Sequence, residues 1–311
     1  MTAQVLTPEA SFHTARTIAA QHSTDSAGAG SSPRFPEPHL SYSQAKAFTN
    51  CPLQWRLSRE YPPTFVPASR VFGGGVHAAV EAFHRARRVG AEATMDHLLD
   101  AYDRHWERET SAKGLPVRFT AKLEDAAGMR ELAGRMLGAF VAATRPGEVV
   151  AVEEPFVVEL APGLPPVVGR IDLVEIRTTH DGVRRLHLVD FKTAARRPAA
   201  EDLDNNQLVL YMLAAQQKGW EESLGLPLAM EFRCITKAKQ PEVVTVPVTA
   251  TPRDAARFVA TMRQRHQAMR SGACYPAPSW TCSACGHASL CRAWPNLPAV
   301  AGAYRRNMPA A

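Results

Sequence analysis

Two aspartates and a lysine carry the most chemical promise in this sequence. Asp172 lies in Gly169-Arg170-Ile171-Asp172-Leu173-Val174, which reads as the end of one strand, and Asp190 and Lys192 lie in Leu188-Val189-Asp190-Phe191-Lys192-Thr193, which reads as the end of the next. Residues two apart on a strand share a face, so Asp190 and Lys192 point one way while Val189 and Phe191 point into the core. If a hairpin brings Asp172 within about 4 Å of Asp190, the two charges repel by about 4 kcal/mol at an effective dielectric near 20, and something positive must sit between them. A divalent cation does this best. Mg²⁺ or Mn²⁺ held by carboxylates and waters polarises a phosphate and lowers the pKa of a water, with Lys192 orienting that water or offsetting developing charge. An isolated Asp-x-Lys triplet is more commonly a strand-end cap beside a surface lysine, and here the companions shift the balance. His77 sits in Gly73-Gly74-Gly75-Val76-His77 at the expected start of a helix. Gln207 and Tyr211 stand one turn apart on the helix after the hairpin and can face one groove.

A second set of residues is built from sulfur. Cys282-Ser283-Ala284-Cys285 followed by Cys291 gives a C-x2-C-x5-C spacing, and thiolates so close together usually share a metal. Three ligands leave one to find. Cys51, in Asn50-Cys51-Pro52, precedes a proline at a helix end and is one candidate; His287 is the other and would make a Cys₃His zinc site. Cys234 falls in a strand and reads as a buried apolar residue, and Cys274 is left as a reserve ligand.

The elements that must position these residues follow from periodicity. Residues 1–38 are rich in Ala, Ser, Thr, Gly and Pro without periodic apolar positions, and read as a disordered tail. Ser41 or Ser43 caps a helix carrying Ala47, Phe48 and Trp55 inward, and a proline-rich loop spans Tyr61 to Pro67. Helical spacing then recurs over Gly74–Arg88, Glu92–Glu109 and Lys122–Thr144, closed by Pro146-Gly147. After that the period changes to two: Val149–Leu160, Val167–Ile176 and Arg184–Phe191 read as neighbouring strands, with Asp181-Gly182 as a hairpin turn. A helix over Asp202–Gln217, strands over Ala229–Thr236 and Val243–Val248, and a helix over Pro252–Arg270 complete the pattern. Cys274–Trp294 holds too many Cys, Pro and Ser for a regular element. The order predicts an α/β fold with a mixed central sheet flanked by helices. Its divisions are a helical region at 39–146 with Cys51 and His77, inserted into or lidding the domain, a core at 147–272, a cysteine-rich metal-binding segment at 273–296 and a tail at 297–311.

Composition narrows the partners. A formal charge of +6 and a pI near 9.1 suit a polyanion, though a well-solvated basic surface has the same sign. No apolar run approaches the roughly 20 residues of a membrane span, and the N-terminus lacks a secretory layout, so a cytosolic protein without a membrane partner is expected. In the cytosol six cysteines point to metal binding or catalysis rather than to disulfides.

Taken in order, Gly-x-x-x-His, Gly-Arg-Ile-Asp, Val-Asp-Phe-Lys-Thr and Gln-x-x-x-Tyr resemble the RecB-type branch of the PD-(D/E)XK nucleases, over residues 41 to about 292. The resemblance implies a restriction-endonuclease-like core in which Asp172 and Asp190 ligate the catalytic Mg²⁺ or Mn²⁺, the Phe191 carbonyl adds a ligand, and Lys192 is the catalytic lysine. It further implies His77 as a metal ligand and Gln207 and Tyr211 as supports for the site or the DNA strand. Ile171 stands where the family name has a proline, a departure the RecB branch tolerates. Glu154 matches an acidic position of that branch only loosely and reads as a surface glutamate. Nucleases of the AddB type and the CRISPR-associated adaptation nucleases place one cysteine far upstream and three after the nuclease motifs, and these hold a [4Fe–4S] cluster; Cys51, Cys282, Cys285 and Cys291 match that layout, with Zn²⁺ the alternative. The implied activity is cleavage of DNA, at single strands or duplex ends, in recombination, repair or phage DNA processing. A binding module with a degenerate nuclease site and a zinc-ribbon interaction protein are the competing readings. No G-x-x-x-x-G-K-[ST] motif is present, so any unwinding comes from a helicase or recombination partner. Arg196 and Arg197 join Tyr211 as candidates for strand contact.

Overall fold

The computed structural model describes residues 38–111, 114–120 and 125–297; the expected tails, but for residues 38 and 297, lie outside the described residues. The chain enters through a short strand, β1 (Leu40–Ser41), and a helix, α1 (Tyr42–Asn50), whose first turn is capped by the Ser41 hydroxyl accepting from the Gln44 N–H at 3.2 Å. The sequence predicts one helix across Phe48 and Trp55, and the structure has two. Pro52 has no N–H to continue α1, so Cys51 ends it and caps α2 (Pro52–Glu60). Phe48 and Trp55 still meet edge to face at 5.4 Å.

A two-residue strand, β2 (Val66–Pro67), leads into α3 (Ala68–Arg88); α4 (Met95–Ser111), β3 (Val117–Arg118) and α5 (Ala126–Ala143) follow, with β3 parallel to β2. The prediction that α3 begins at Gly74 with His77 in its first turn is corrected: Gly73, Gly74 and Gly75 lie inside the helix. Each internal glycine costs about 1 kcal/mol in helix propensity, and packing explains why they are tolerated. A Cβ on Gly75 would come within 2.6 Å of the buried Tyr102 ring, and one on Gly74 within 2.3 Å of His105, both on α4. The glycines are the groove in which α4 lies.

The sheet follows as β4 (Glu148–Val158), β5 (Val167–Thr178) and β6 (Arg184–Ala194), successive antiparallel neighbours. The turn between β5 and β6 places Gly182 at φ 77°, a left-handed conformation that favours glycine. Next come α6 (Asn206–Gln217) and α7 (Trp220–Leu224), which carry the chain over to β7 (Leu228–Thr236) parallel to β6; β8 (Val243–Val248) returns antiparallel to β7. The chain closes with α8 (Pro252–Arg270), begun by a Thr251/Asp254 capping box, and α9 (Ala288–Ala293). Together with a 3₁₀ turn at Trp280–Ala284, α9 corrects the expectation of no regular element in the cysteine-rich segment.

Helices cover both faces of this mixed sheet, as the sequence predicts. On one face Phe48, Tyr211 and Phe258 from α1, α6 and α8 pack on Ile171, Leu188 and Phe232; on the other Phe72, Tyr102 and Phe140 from α3, α4 and α5 pack on Leu173, Val189 and Phe191. β6 is therefore buried on both sides. Asp190 itself is fully buried, so the core lies under both of its faces and not only behind Val189 and Phe191. The β5–β6 ladder runs from Thr178 opposite Arg184 to Leu173 opposite Val189 and stops there, while β1 takes the same side of β5 at Val167–Val168. Between these two pairings the strands fork, and the next opposed positions are Asp172 and Asp190. Asp172 thus lies in the middle of β5, not at its end.

Candidate active site

The fork is lined by acidic side chains from three strands. Pairing of Val152 with Leu173 and of Glu154 with Ile171 sets Glu153 level with Asp172, so Glu153, Asp172 and Asp190 form one row across β4, β5 and β6. Glu153 has φ 52°, the one non-glycine residue with positive φ among the described residues. Such a backbone costs roughly 1–3 kcal/mol and persists where the surroundings fix it. His77 approaches the row from α3. Its Nε2 lies 2.7 Å from the Phe191 carbonyl and donates to it, which leaves Nδ1 with a free lone pair 3.8 Å from Asp172 Oδ2. His77, Glu153 and Asp172 offer three ligand atoms within 4.8 Å of one another, the one such set of His, Cys, Asp and Glu among the described residues. Two carboxylate oxygens suit Mg²⁺ or Mn²⁺, and the added imidazole nitrogen favours Mn²⁺ of the two.

On the other side of the row a hydrogen-bonded chain leads away from Asp190. Lys192 Nζ lies 2.5 Å from Asp190 Oδ2 and donates to Gln207 Oε1 at 3.1 Å. Gln207 Nε2 donates to the Tyr211 hydroxyl at 3.1 Å, and that hydroxyl lies 3.3 Å from both Asp172 Oδ1 and Asp190 Oδ1. The one-turn spacing of Gln207 and Tyr211 on α6 makes this possible. Phe191 is the hub between the two sides: its N–H donates to Asp172 Oδ2 at 2.8 Å and its carbonyl meets His77, while its ring stacks on His84 at 5.5 Å.

The electrostatics show uncompensated negative charge. Burial, then the Asp172 and Glu81 carboxylates, push the Glu153 carboxyl up to about 7, against the pull of Arg170. Burial and then Asp172 raise Asp190 also, and Lys192 opposes them. The Tyr211 phenol is held well above its ordinary value by burial and by both aspartates, so it stays a hydrogen-bond donor. A cation in this row would relieve these costs.

All the sequence-predicted residues of this set, His77, Asp172, Asp190, Phe191, Lys192, Gln207 and Tyr211, come together. Glu153 was not predicted. Two successive glutamates between Val152 and Phe156 must send one to each face of the strand, and that was the available signal. The expectation of a surface Glu154 is corrected, because it is half-buried and pairs with Lys218 at 2.6 Å. Arg196 and Arg197 are exposed beyond the end of β6, and Arg197 pairs with Glu242 at 2.8 Å.

The two ends of the folded chain meet at the cysteines. Cys51 Sγ accepts from the N–H groups of Gln54 at 3.4 Å and Ala277 at 3.5 Å, Cys282 Sγ from that of Ser279 at 3.3 Å, and Cys285 from that of His287. Burial, then the neighbouring Cys51, Cys285 and Cys282, raises the Cys291 thiol, so the four sulfurs share one neighbourhood. Backbone bonds from Leu53 to Tyr275 and from Thr64 to Gly286 fasten the segment, at 3.0 and 2.9 Å. His287 is buried with Nδ1 unpaired, Cys234 is buried in β7, and Cys274 interacts with Arg56. Among the described residues no helix is long and apolar enough to cross a membrane.

Comparison with known proteins adds a family. The family model described as "PD-(D/E)XK nuclease superfamily" matches residues 39–292. A solved structure named "Putative exonuclease", from Eubacterium rectale, is 15% identical, with 92% of this chain and 94% of that chain covered and a TM-score of 0.47. The solved structure of SSO0001 is 14% identical, with 83% and 96% covered and a TM-score of 0.32. Neither likeness is close enough to carry an inference. No curated protein matches the chain.

Proposed function

The chain belongs to the PD-(D/E)XK nuclease superfamily, and from that premise we propose that it is a metal-dependent deoxyribonuclease of the RecB-like kind, an exonuclease acting on single strands or duplex ends. The observation that carries this reading is the row Glu153, Asp172 and Asp190 at the β5–β6 fork, with Lys192 at its edge. A bound Mg²⁺ or Mn²⁺ would supply Lewis-acid polarisation of the scissile phosphate and a lowered pKa for the attacking water. Glu153 and Asp172 would hold it with Asp190 and with either His77 Nδ1 or the Phe191 carbonyl, which lie on opposite sides of the imidazole and cannot share one ion. Lys192 orients the attacking water and offsets charge developing on the phosphate. Gln207 fixes the ammonium, and Tyr211, kept protonated, holds the two aspartates in register. Recombination, repair and phage DNA processing are the pathways such an activity serves, in the cytoplasm, with a helicase or recombination partner for unwinding.

Cys51, Cys282, Cys285 and Cys291 hold a [4Fe–4S] cluster in the same reading. Backbone N–H groups aimed at the Cys51 and Cys282 sulfurs and the shared neighbourhood of the four thiols support a thiolate-bound centre, and the layout of one upstream and three downstream cysteines supports a cluster, with Zn²⁺ the alternative. Its contribution is structural, since phosphodiester hydrolysis transfers no electron.

A time course on end-labelled single-stranded and duplex DNA, with Mn²⁺, with Mg²⁺ and with EDTA, tests the activity. Metal-dependent release of mononucleotides or short oligonucleotides from ends is expected. Intact DNA under all three conditions overturns the reading, and internal cuts without end release overturn its exonuclease part.

A further inference from the structure

The outer side of α8 gathers the basic excess of the chain. Between Pro252 and Arg270 the helix carries five arginines and a single acid, Asp254, and that acid is occupied by the Thr251 capping box and by Arg257 at 3.3 Å. Arg253 and Arg257, and then Arg263, Gln267 and Arg270, fall into two groups at helical spacing and are all exposed. At its C-terminal end α8 and the turn Pro162–Leu164 wall a cavity of about 450 Å³ that presents Arg263, His266, Gln267, Arg270 and Ser271. No carboxylate lines it, and among the described residues neither Arg263 nor Arg270 has an acidic partner. His266 is buried, and burial together with Arg270 keeps it neutral, so it adds hydrogen bonding rather than charge.

We propose that this cavity binds a phosphate group, with Arg263 and Arg270 as its charged contacts and His266, Gln267 and Ser271 as polar ones. Two guanidinium groups without a competing acid suit a tetrahedral, doubly charged oxyanion such as phosphate, which has oxygens enough for a bidentate contact from each. The dipole of the α8 C-terminus opposes an anion at Arg270 and Ser271; the effect falls off within the last turn and does not reach Arg263, about two turns earlier. Arg263 and Arg270 stand seven residues apart on α8, a rise of about 10 Å and nearly two full turns, so both face one strand over about three phosphates. Toward the start of α8 a second cavity, of about 280 Å³, holds Asp204 and Asp254 beside Arg257 and does not favour an anion. Resting on the nuclease reading, the inference is that a strand passing the carboxylate row is held again at the Arg263 and Arg270 cavity; a free nucleotide, the product of cleavage, carries the same group.

Binding is measured on the full-length Asp190→Asn protein in EDTA, so that nothing is cleaved. Fluorescence anisotropy follows a labelled single strand over a salt series, and calorimetry follows a deoxynucleoside 5′-monophosphate. Arg263→Gln/Arg270→Gln should weaken strand binding by about tenfold and reduce the log–log salt slope by about 1.4, two contacts at about 0.7 each. Arg88→Gln/Arg104→Gln removes the same charge from exposed positions elsewhere and should change neither. Loss of monophosphate binding alone in the cavity variant assigns the site to a free nucleotide. No change in either ligand, or equal losses in both double variants, overturns the proposal. Because turnover is not read, a chain that never cleaves DNA but shows the specific loss discards the nuclease reading and leaves this site standing.

Discussion

Glu153 is the side chain on which the metal site turns, because it supplies a carboxylate that the other strands cannot. Its backbone lies in the left-handed region, and its carboxyl is pushed up to about 7 by burial and by Asp172. Both features are unfavourable in the metal-free protein. Glu153→Gln keeps the shape and removes the charge, so Mn²⁺ affinity measured by calorimetry should fall about tenfold or more, and unchanged affinity would remove Glu153 from the ligand set. The residues of the fork divide by how they were legible. Asp190 and Lys192 share a face two residues apart, and Gln207 and Tyr211 share one a turn apart, and periodicity alone conveys both. Glu153 depends on a backbone angle and on a cross-strand register, neither of which is written in its neighbours.

Among the elements, α3 begins ahead of its glycines, where the sequence predicts a later start, and the reason is physical. Three glycines in a row have the propensity of a helix breaker, and only the approach of α4 shows what they permit. Gly75→Ala gains about 1 kcal/mol of helix propensity but drives a methyl into the buried Tyr102 ring, and overpacking costs about 1–3 kcal/mol. The melting temperature should therefore drop by several degrees. Gly74→Ala meets the half-buried His105 ring, which can swing aside, and should be close to neutral. Equal effects in thermal melts would contradict this account of the helix crossing. The same helix layer rests on a buried ionic network in which Glu231 is bonded by Arg177 at 2.6 Å, Arg233 at 2.7 Å and His187 at 3.2 Å. Burial raises the Glu231 carboxyl, but these partners together outweigh it and hold it at about 2, below the 4.5 of a free glutamate. The stability this gives is fully present above about pH 4.5 and is lost as pH falls toward 2. Acid unfolding of Glu231→Gln should lack that part of the slope, and an unchanged acid limb would show the network to be energetically silent.

For the molecule as a whole, the proposed centre at the cysteines would act as a clasp between α2 and the segment after α8. Closing a loop from position 51 to position 282 costs about 5 kcal/mol plus a constant in chain entropy, which the folded core must largely bear. A structural metal centre there would contribute on the order of 10 kcal/mol or more and secure the closure. Protein purified without oxygen should be brown with iron and sulfide, and Cys51→Ser should be colourless and prone to unfold. Zinc in a colourless protein that tolerates Cys51→Ser but not His287→Ala would install the Cys₃His site instead. The mixed sheet with helices on both faces was legible because the period changes from helical to alternating near position 148 and then alternates again between helix and strand up to position 270. The fork itself was not, since it arises where β1 and β6 share one edge of β5, a contact between distant segments. Cleavage of end-labelled DNA, measured beside Mn²⁺ binding in Asp190→Asn and Lys192→Ala, tests whether this fork cleaves DNA with a metal. Both variants should fold and lose nearly all turnover, with Mn²⁺ binding weakened in the first and retained in the second. Full cleavage by Asp190→Asn would contradict the account.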